Sequence, residues 1–502
     1  MSRSAWFAVI GIALAYLLTI GPRGLNEPDE GRYAEISREM VASGDWIIPC
    51  LNGIEHFQKP PLIYWASAAS ITIFGPRDWA ARLPSALAAL WLIAATAWLG
   101  RELKDRETGW LAGIIVASTF GVFLLGHLLT PDMLMGACIT VALAAMARFY
   151  RTKHKFFGYL VFLAAGLAFM TKGPMGFVVP AAAGIGMTIA VRRNGGRLGL
   201  PWVTGSVLAL AIGLAWFFVV IARYPELKEY FLVDELVQRF TSKYHGRWRP
   251  FWFFLVILPL FMLPWSALTL GMWRRTWQRL RSKERLSPEL ALLFATVAIP
   301  FIVLSVSGSK LPTYVLPLAG PLAVAIAWHL RTTTDFKPST LRHVAIGALV
   351  FAFVAMLVAD QFQPYLGRQA SVKSLASIAR ARPDFDRAEL FASNVRADGW
   401  EFYLGRLVHA IKDEDDIILP LRPEQKERMH DDTSALEKVM RAKPLAYGIL
   451  RQGTYKKSFE PNGWRILGQS GDFLLVETPG HPMPVLPDPR RVSAEHQGQP
   501  LK

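Results

Sequence analysis

The stretch NEPDEGRYAEISREMVASGDW (residues 26–46) lies just after an apolar run, AWFAVIGIALAYLLTI (residues 5–20). The apolar run contains no charged residue, whereas the stretch that follows it contains eight. An apolar run of this kind is typical of a helix that enters a membrane. A charge cluster so close to a span is either the solvated side of a loop helix or a catalytic loop at the membrane surface.

Apolar runs of about 17–22 residues recur along the whole chain, which is 52% hydrophobic and has a mean hydropathy of +0.27. Each run is predicted to be a helix, because in lipid every backbone polar group needs a partner within the protein. The expected fold class is therefore an all-α polytopic membrane protein with about eleven transmembrane helices. The predicted spans are residues 4–20, 82–100, 108–127, 131–150, 156–172, 174–191, 201–222, 251–272, 289–307, 312–330 and 343–361.

The net charge of +16 is concentrated in short loops between these runs. If the N-terminus is cytoplasmic, the loops assigned to the cytoplasm hold 18 Lys and Arg residues against five acids. This asymmetry indicates membrane topology, and it argues against a nucleic-acid-binding surface. The loops are residues 101–107, 151–155, 192–197, 274–285 and 331–342.

Three regions are expected along the chain. Residues 1–362 form the transmembrane domain, and the first external loop (residues 21–81) contributes amphipathic helices. Short β-like runs predict a small C-terminal extracytoplasmic α/β domain over residues 363–478, followed by a Pro-rich disordered tail at 479–502. The β-like runs are ELFAS (389–393), PLAYGIL (444–450), WRILGQ (464–469) and FLLVET (473–478).

Five separate segments bring polar residues to the predicted outer boundary of the membrane, where such residues are costly and tend to be functional. Each residue also has a structural explanation: Lys172 and Lys310 can extend to the interface, Asp132 can cap a span, and His245 can be an ordinary loop histidine. Their coincidence on one face favours a site. The segments are the loop 21–81, TPDM (130–133), MTKGPMG (170–176), KYHGRWRPFW (243–252) and SGSKLPTY (307–314).

Carboxylates beside Lys and Arg at an external membrane surface suit a substrate with an anionic head and a lipid tail. Lys and Arg neutralise phosphate, and a carboxylate can accept a proton from an incoming hydroxyl. A sugar linked to a lipid phosphate fits, because the departing phosphate develops charge that cations stabilise. The chain has no Gly-rich phosphate loop of the kind that would hold a nucleotide-sugar.

Several of these motifs resemble those of bacterial lipid-carrier-dependent glycosyltransferases, which include the 4-amino-4-deoxy-L-arabinose transferase of lipid A and protein-mannosyltransferase-like relatives. The resemblance covers residues 1–330 and implies the GT-C fold and a polyprenyl-phosphate sugar donor used in the periplasm. The motifs are DEGRYAEISREMVASGDWIIPCLNGIEHFQKPPLIYW (29–65), FGPRDWAARLPSAL (74–87), FMTKGPMG (169–176), YHGRWRPFWFF (244–254) and SGSKLPTYVLPLAGPLA (307–323).

The resemblance implies roles for individual residues. Asp29 matches the essential acid of the family, Glu30 follows it as a second candidate catalytic acid, and Lys59 matches the lysine that contacts the carrier phosphate. The candidates for binding the donor phosphate are Lys59, Arg32, Arg247, Arg249 and Lys310. The candidates for binding substrate are Tyr33, Tyr64, Asp132, Lys172, His245 and Tyr314.

The resemblance also bears on a metal ion, since His245 matches a histidine that shares a metal with an acid in some family members. Here Gln58 replaces that acid, and a neutral amide is a poor zinc ligand. We therefore expect no structural zinc, although Glu55 is an alternative acid and His245 remains the candidate ligand. Arg247 and Arg249 are hypothesised to replace part of the metal's role in binding phosphate.

The helix of the first external loop is expected to carry Asp29 and Glu30 at its N-terminal end, where the helix dipole stabilises acids. Glu35, Arg38 and Glu39 lie three or four residues apart, and we expect them on a solvated face or in local ion pairs.

The predicted function is transfer of a sugar from an undecaprenyl-phosphate donor to a periplasmic acceptor, by an enzyme of the bacterial inner membrane. The acceptor is lipid A, a glycan or a protein, so a protein O-mannosyltransferase-like or surface-glycan activity stays open. A transporter or flippase of lipid-linked sugars is the non-enzymatic alternative, although no inverted repeat is visible. A sugar-lipid-binding protein without activity is disfavoured by the presence of Asp29 and Lys59. Membrane lipids are expected partners and nucleic acids are not.

Overall fold

The computed structural model describes residues 3–233, 248–267, 272, 274, 286–333, 338–358, 361, 365–413 and 417–480. The described chain is mostly helical. The main helices over residues 3–357 are α1 (Arg3–Leu17), α2 (Asp29–Ser43), α3 (Leu62–Phe74), α4 (Asp78–Leu103), α5 (Arg106–Ala117), α6 (Phe120–Gly126), α7 (Pro131–Thr152), α8 (Lys155–Lys172), α9 (Met175–Arg193), α10 (Trp202–Arg223), α11 (Phe253–Phe261), α12 (Pro288–Val306), α13 (Ala319–Thr333) and α14 (Pro338–Leu357). A 3₁₀ helix, Pro312–Leu318, leads directly into α13.

Seven helical segments of the described chain are long and apolar enough to cross a membrane, namely α4, α7, α8, α9, α10, α12 and the unit Pro312–Thr332. The pair α5 and α6, bent by 65°, makes an eighth if it is one span. The other three predicted spans contain α1, α11 and α14, which do not meet that test over their described residues. The chain is thus a helical protein with several candidate spans.

Helix α7 lies at the centre of the bundle and packs against α4 on one side and α8 on the other. It is buried almost all round because small residues along it let neighbouring helices approach closely. The same principle governs the contact of α4 with α5. A Cβ on Gly100 would lie 2.9 Å from the Cα of Gly109, which is too close for any side chain.

The first external loop folds over one end of the bundle as α2, a short hairpin and α3. Helix α2 begins at Asp29, as expected, and ends where Gly44 adopts a left-handed conformation with φ of 73°. Glu35 forms the expected ion pair with Arg38 at 2.6 Å. The solvated face expected here is wrong for Glu35 and Glu39, which are 0% and 8% exposed. The hairpin consists of β1 (Cys50–Leu51) and β2 (Ile54–Glu55).

A six-stranded sheet follows in the C-terminal part of the chain, within residues 365–480, here called the sheet region. The strand order is β5-β4-β3-β6-β8-β7. Strands β5, β4, β3 and β6 are parallel to one another, and β8 is antiparallel to both of its neighbours, β6 and β7. Four of the strands coincide with the β-like runs of the sequence. The elements are α15 (Lys373–Arg380), β3 (Glu389–Ser393), α16 (Gly399–Leu404), β4 (His409–Ile411), β5 (Met429–His430), α17 (Thr433–Arg441), β6 (Ala446–Arg451), β7 (Arg465–Ser470) and β8 (Phe473–Glu477).

Several one-turn helices complete the described structure. They are Leu227–Glu229, Gly367–Gln369, Phe385–Arg387, Pro423–Lys426, Gln452–Thr454, Tyr455–Phe459 and Glu460–Asn462. Residues 481–502, most of the predicted disordered tail, lie outside the described residues.

The sheet region rests on the first external loop through polar contacts. The side chain of Asn52 bonds both backbone polar groups of Val408, at 3.0 and 2.9 Å. The amide of Gln425 donates to the carbonyl oxygen of Gly53 at 2.8 Å. Because these bonds link residues more than 350 positions apart, the sheet region holds the loop in place over the bundle.

Candidate active site

Asp29 occupies the first position of α2 and its side chain is exposed. An acid at a helix N-terminus faces unpaired backbone N–H groups and the positive end of the helix dipole. Asp29 is therefore a stabilised carboxylate that remains accessible to a ligand. These are the properties required of an acid that contacts a substrate.

Glu30, the next residue, is placed differently, because both of its carboxylate oxygens are occupied by buried donors. Arg23 donates to Oε2 at 2.5 Å and Arg82 donates to Oε1 at 2.7 Å. The backbone N–H groups of Asn26 and Leu129 donate as well, at 3.0 and 2.9 Å. These contacts suit a residue that fixes the start of α2 rather than one that touches a substrate.

Burial alone would raise the pKa of Glu30, but the guanidinium groups of Arg23 and Arg82 bring that pKa below its ordinary value. Arg82 is fully buried and also donates to the backbone carbonyls of Ile20, Arg23 and Gly24. Arg82 is not among the site residues predicted from the sequence, although it lies within the motif FGPRDWAARLPSAL. The sequence feature that could have identified Arg82 is its charge at the first position of the predicted span 82–100.

Tyr33 and Tyr64 lie together beside Asp29, with their ring centroids 5.6 Å apart. Burial raises the pKa of Tyr33, and the nearby Tyr64, Asp29 and Asp132 raise it further. The hydroxyl of Tyr64 is buried and has no hydrogen-bond partner among the described residues. A buried hydroxyl without a partner is costly, and it is available to a ligand.

Asp132, Lys172 and Tyr314 come together from three separate segments. The ammonium of Lys172, in the last turn of α8, forms an ion pair with Asp132 in the first turn of α7. The same ammonium lies 5.0 Å from the ring centroid of Tyr314. Asp132 is 2% exposed, so this is a buried cluster and not a pair of side chains that extend into the interface.

Arg32 and Lys59 are both close enough to the buried His56 to affect its pKa. Burial lowers the pKa of His56, and the charges of Arg32 and Lys59 lower it further. Arg32 pairs with Asp398 of the sheet region at 3.2 Å, and Lys59 donates to the carbonyl of Gln58 at 2.7 Å. The result is a cationic region at the junction of the first loop and the sheet region.

Lys310 and Arg249 meet in a second cationic region. The ammonium of Lys310 is buried and donates to the backbone carbonyls of Ser307 and Arg249. The Arg249 side chain is exposed. Both residues border a groove of about 480 Å³ whose other lining is largely apolar. Among the lining residues are Phe251, Leu255, Phe301, Ile302 and Val306.

Two of the predicted site residues, His245 and Arg247, lie outside the described residues. Glu55, the acid that might replace Gln58 as a metal ligand, is held by Arg422 at 3.2 Å and by Gln425 at 3.0 Å. In the described part of the chain no three His, Cys, Asp or Glu side chains are grouped as metal ligands.

Comparison with known proteins agrees with these features. Residues 58–218 match the family model described as dolichyl-phosphate-mannose-protein mannosyltransferase. The chain is 32% identical over 372 residues to the undecaprenyl phosphate-alpha-4-amino-4-deoxy-L-arabinose arabinosyl transferase 2 of Proteus mirabilis. The match covers 70% of this chain and 66% of that protein.

The corresponding enzyme of Yersinia enterocolitica is 37% identical over 359 residues, which cover 69% of this chain and 62% of that protein. The chain thus spans slightly less than two thirds of the length of these relatives. The crystal structure of ArnT from Cupriavidus metallidurans bound to undecaprenyl phosphate superposes with a TM-score of 0.82, covering 96% of this chain and 100% of that one. At 22% identity this likeness shows a common fold. The chain belongs to the GT-C family of polyprenyl-phosphate-sugar-dependent glycosyltransferases.

Proposed function

We propose that this protein transfers a sugar from a polyprenyl-phosphate donor to a lipid A-type acceptor at the periplasmic face of the bacterial inner membrane. One observation carries the proposal. The carboxylates of Asp29 and Asp132 both lie near Tyr33, and Asp132 pairs with Lys172 beside Tyr314, so an exposed acid, an ion pair and tyrosines lie close together. That combination suits a substrate with an anionic head.

The proposed topology has eleven spans with a cytoplasmic N-terminus. The basic loops between spans then face the cytoplasm, in agreement with the positive-inside rule. The first external loop and the region 363–478, proposed as an α/β domain, then face the periplasm together. Their mutual hydrogen bonds require that they lie on the same side.

The donor is proposed to lie with its prenyl chain in the apolar groove and its phosphate near Arg249 and Lys310. The groove has the required chemistry, since a largely apolar surface ends at two cationic side chains. Lys59, with Arg32 nearby, is proposed to reach the same phosphate from the first loop and to stabilise it together with Arg249 and Lys310 as the bond to the sugar breaks. Cations fixed in this way stabilise charge that develops in the transition state.

Asp29 is proposed to act on the acceptor. With a hydroxyl acceptor the carboxylate accepts the proton as the oxygen attacks the anomeric carbon. With a lipid A phosphate the acceptor oxygen is already ionised, and Asp29 orients it through the neighbouring hydroxyl groups of Tyr33 and Tyr64. A single displacement inverts the anomeric centre, and the phosphate leaves on the prenyl carrier.

The activity for which these relatives are named favours a 4-amino-4-deoxy-L-arabinose donor, which would make this chain a pentosyltransferase. A second candidate is transfer to protein, which is favoured by the family model matching residues 58–218. The names of the matched family and of the relatives differ in both the sugar and the acceptor, so each candidate predicts a different product.

The test uses the full chain in proteoliposomes with undecaprenyl-phosphate-linked aminoarabinose and lipid A, and detects the product by mass spectrometry. Wild-type protein is expected to add one pentosamine to lipid A. Asp29→Asn and Lys59→Ala are each expected to reduce transfer at least 100-fold while leaving thermal unfolding unchanged. The matched controls are Asp386→Asn and Lys155→Ala, which alter exposed side chains elsewhere. Full activity in both site variants would overturn the assignment of the site.

A further inference from the structure

A cavity of about 440 Å³ lies between the hairpin of the first loop and the sheet region. On the sheet side it is bordered by the carboxyl ends of β3, β4 and β6, through residues such as Asn394, Lys412 and Arg451. On the loop side it is bordered by residues from Leu51 to His56. The donor groove near Lys310 shares no lining residue with this cavity, so the two are separate.

The cavity lies where this topology favours ligand binding. The chain passes from β3 to β4 and β5 on one side of β3, then returns to β6 on the other side. In open sheets of parallel strands, ligands bind outside the carboxyl ends of the strands where the order reverses in this way. The volume is in the range of known small-ligand sites.

Glu401 contributes a buried carboxyl group to the lining of the cavity. Its side chain lines the cavity and is 5% exposed, and its Oε2 atom has no hydrogen-bond partner within the described part of the chain. Burial raises the pKa of Glu401 well above its ordinary value, and the nearby Asp398 raises it further. The raised pKa favours the protonated form of Glu401, which can donate a hydrogen bond to a ligand oxygen.

Arg396 gives the cavity a cation that can exchange its partner. Its ion pair with Asp413 joins side chains that are 42% and 41% exposed, and such pairs contribute little to stability. The other acids of the lining are already bound: Asp398 by Arg32, and Glu55 by Arg422. A phosphate has a geometry that an arginine can bind through two hydrogen bonds, and can displace Asp413.

The lining also has apolar patches, from Val395, Ile411, Ile417 and Met429, that suit the C–H faces of a sugar. Asp398, which lines the cavity, pairs with Arg32 at 3.2 Å, so the cavity adjoins the cationic region formed by Arg32 and Lys59. A ligand bound here has its anionic end close to the place where transfer is proposed to occur.

We propose that this cavity binds the phosphorylated saccharide headgroup of the acceptor, with Arg396 on a phosphate and Glu401 on a sugar oxygen. The proposal rests on the proposed function and names the substrate group recognised by the sheet region. The acceptor is favoured over the donor because the prenyl groove is a separate cavity. The acceptor's acyl chains stay in the membrane and do not enter this site.

The first experiment measures steady-state kinetics of the full chain in proteoliposomes. Arg396→Gln is expected to raise KM for the acceptor about tenfold or more, because a charge-assisted contact to phosphate is lost, while KM for the donor stays unchanged. The control is Arg387→Gln, which alters an exposed arginine of the sheet region outside the cavity lining. An acceptor KM for Arg396→Gln equal to that of the control would overturn the proposal.

Glu401 has a conservative test. Glu401→Gln keeps a hydrogen-bond donor of the same shape and is expected to keep the wild-type acceptor KM. Glu401→Leu keeps the volume without the donor and is expected to raise acceptor KM several-fold. If both variants lose activity equally together with folding, as judged by thermal unfolding, the role is packing and the assignment of Glu401 is wrong.

A binding experiment that does not require transfer separates this proposal from the proposed function. The disaccharide left after removing the acyl chains from lipid A is titrated into the full chain by calorimetry, with and without its phosphates. Only the phosphorylated form is expected to bind, with affinity reduced at least tenfold by Arg396→Gln. Inorganic phosphate is expected to bind at least tenfold more weakly; equal binding would identify a simple anion site and overturn the proposal. Absence of transfer by wild-type protein would instead contradict the proposed function.

Discussion

The carboxylate of Asp132 and the ammonium of Lys172 form an ion pair that joins the first turn of α7 to the last turn of α8. The same ammonium lies 5.0 Å from the centre of the Tyr314 ring. One cation thus links three segments that are distant in the sequence. Because Asp132 is buried, the pair is either a structural clamp or a pre-formed partner for a substrate, and mutations can separate the two roles.

Asp132→Asn is expected to lower the free energy of unfolding by about 3–5 kcal/mol, because removing one partner of a buried pair leaves the other charge uncompensated. The double variant Asp132→Asn with Lys172→Met is expected to recover most of that stability, since no unpaired charge remains. Thermal unfolding in detergent measures the first quantity, and sugar transfer is assayed in parallel.

Sugar transfer by this double variant is expected to stay at least 100-fold below wild type. Recovery of both stability and transfer in the double variant would show that the pair is only a structural clamp. The matched control is Lys155→Met, at the opposite end of α8 from Lys172, where the side chain is exposed.

Tyr64→Phe removes a buried hydroxyl that has no partner among the described residues. Deleting an unsatisfied buried polar group costs nothing and can stabilise the fold by about 1 kcal/mol. We therefore expect unchanged or higher thermal stability together with a tenfold or greater loss of transfer, because the hydroxyl is proposed to meet the substrate. Unimpaired transfer would remove Tyr64 from the site. The control is Tyr159→Phe, whose hydroxyl contacts Thr204 at an exposed position.

Asp398→Asn weakens the contact between the sheet region and α2, because Asp398 accepts from Arg32 at 3.2 Å. The sheet region is expected to position the Asp29 end of α2 through this bond and through the Gly399 N–H, which donates to Glu27 at 3.0 Å. We expect kcat to fall about tenfold with little change in donor KM, since the prenyl groove is elsewhere.

Asp398→Glu, which keeps the charge, is expected to restore most of that kcat. The control is Asp386→Asn, which alters an exposed acid of the sheet region and is expected to leave kcat unchanged. A donor KM that rises while kcat is unchanged would contradict a positioning role for Asp398.

Glu27 makes stability depend on pH in a defined direction. Burial raises the pKa of Glu27 well above its ordinary value, and the nearby Asp398 and Glu401 raise it further. The folded state therefore keeps a proton that the unfolded state loses above about pH 4.3. Stability from this group is complete below that pH and is lost as the pH rises toward the folded-state pKa.

Glu27→Gln is expected to flatten this dependence, so that the variant gains stability relative to wild type at pH 8 compared with pH 5. Melting temperatures of the two proteins at both pH values measure the effect. Glu460→Gln, at an exposed position, is the control. Identical pH slopes for wild type and Glu27→Gln would show that Glu27 is ionised in the folded state.

Much of the candidate site could be anticipated from the chain itself. Asp132 and Lys172 lie at the ends of predicted spans, and alternating spans bring every second connection to the same face, so hydropathy predicts that both residues lie on one face. The pairing of Lys172 with Tyr314 could not be anticipated, because hydropathy does not determine which helices are neighbours. The sequence also could not indicate that Asp29 is exposed whereas Glu30, the next residue, is buried and paired with arginines.

The sequence by itself determined the helical membrane class, the positions of the apolar helices, the start of α2 at Asp29 and the cationic residues of the family motifs. These features depend on local periodicity, composition and short motifs. Tertiary structure alone decided which acids are buried and what they do. Glu30 meets Arg82 and Arg32 meets Asp398 across 52 and 366 positions. The protonation and role of a carboxylate depend on the charges packed around it, and those charges come from distant parts of the chain.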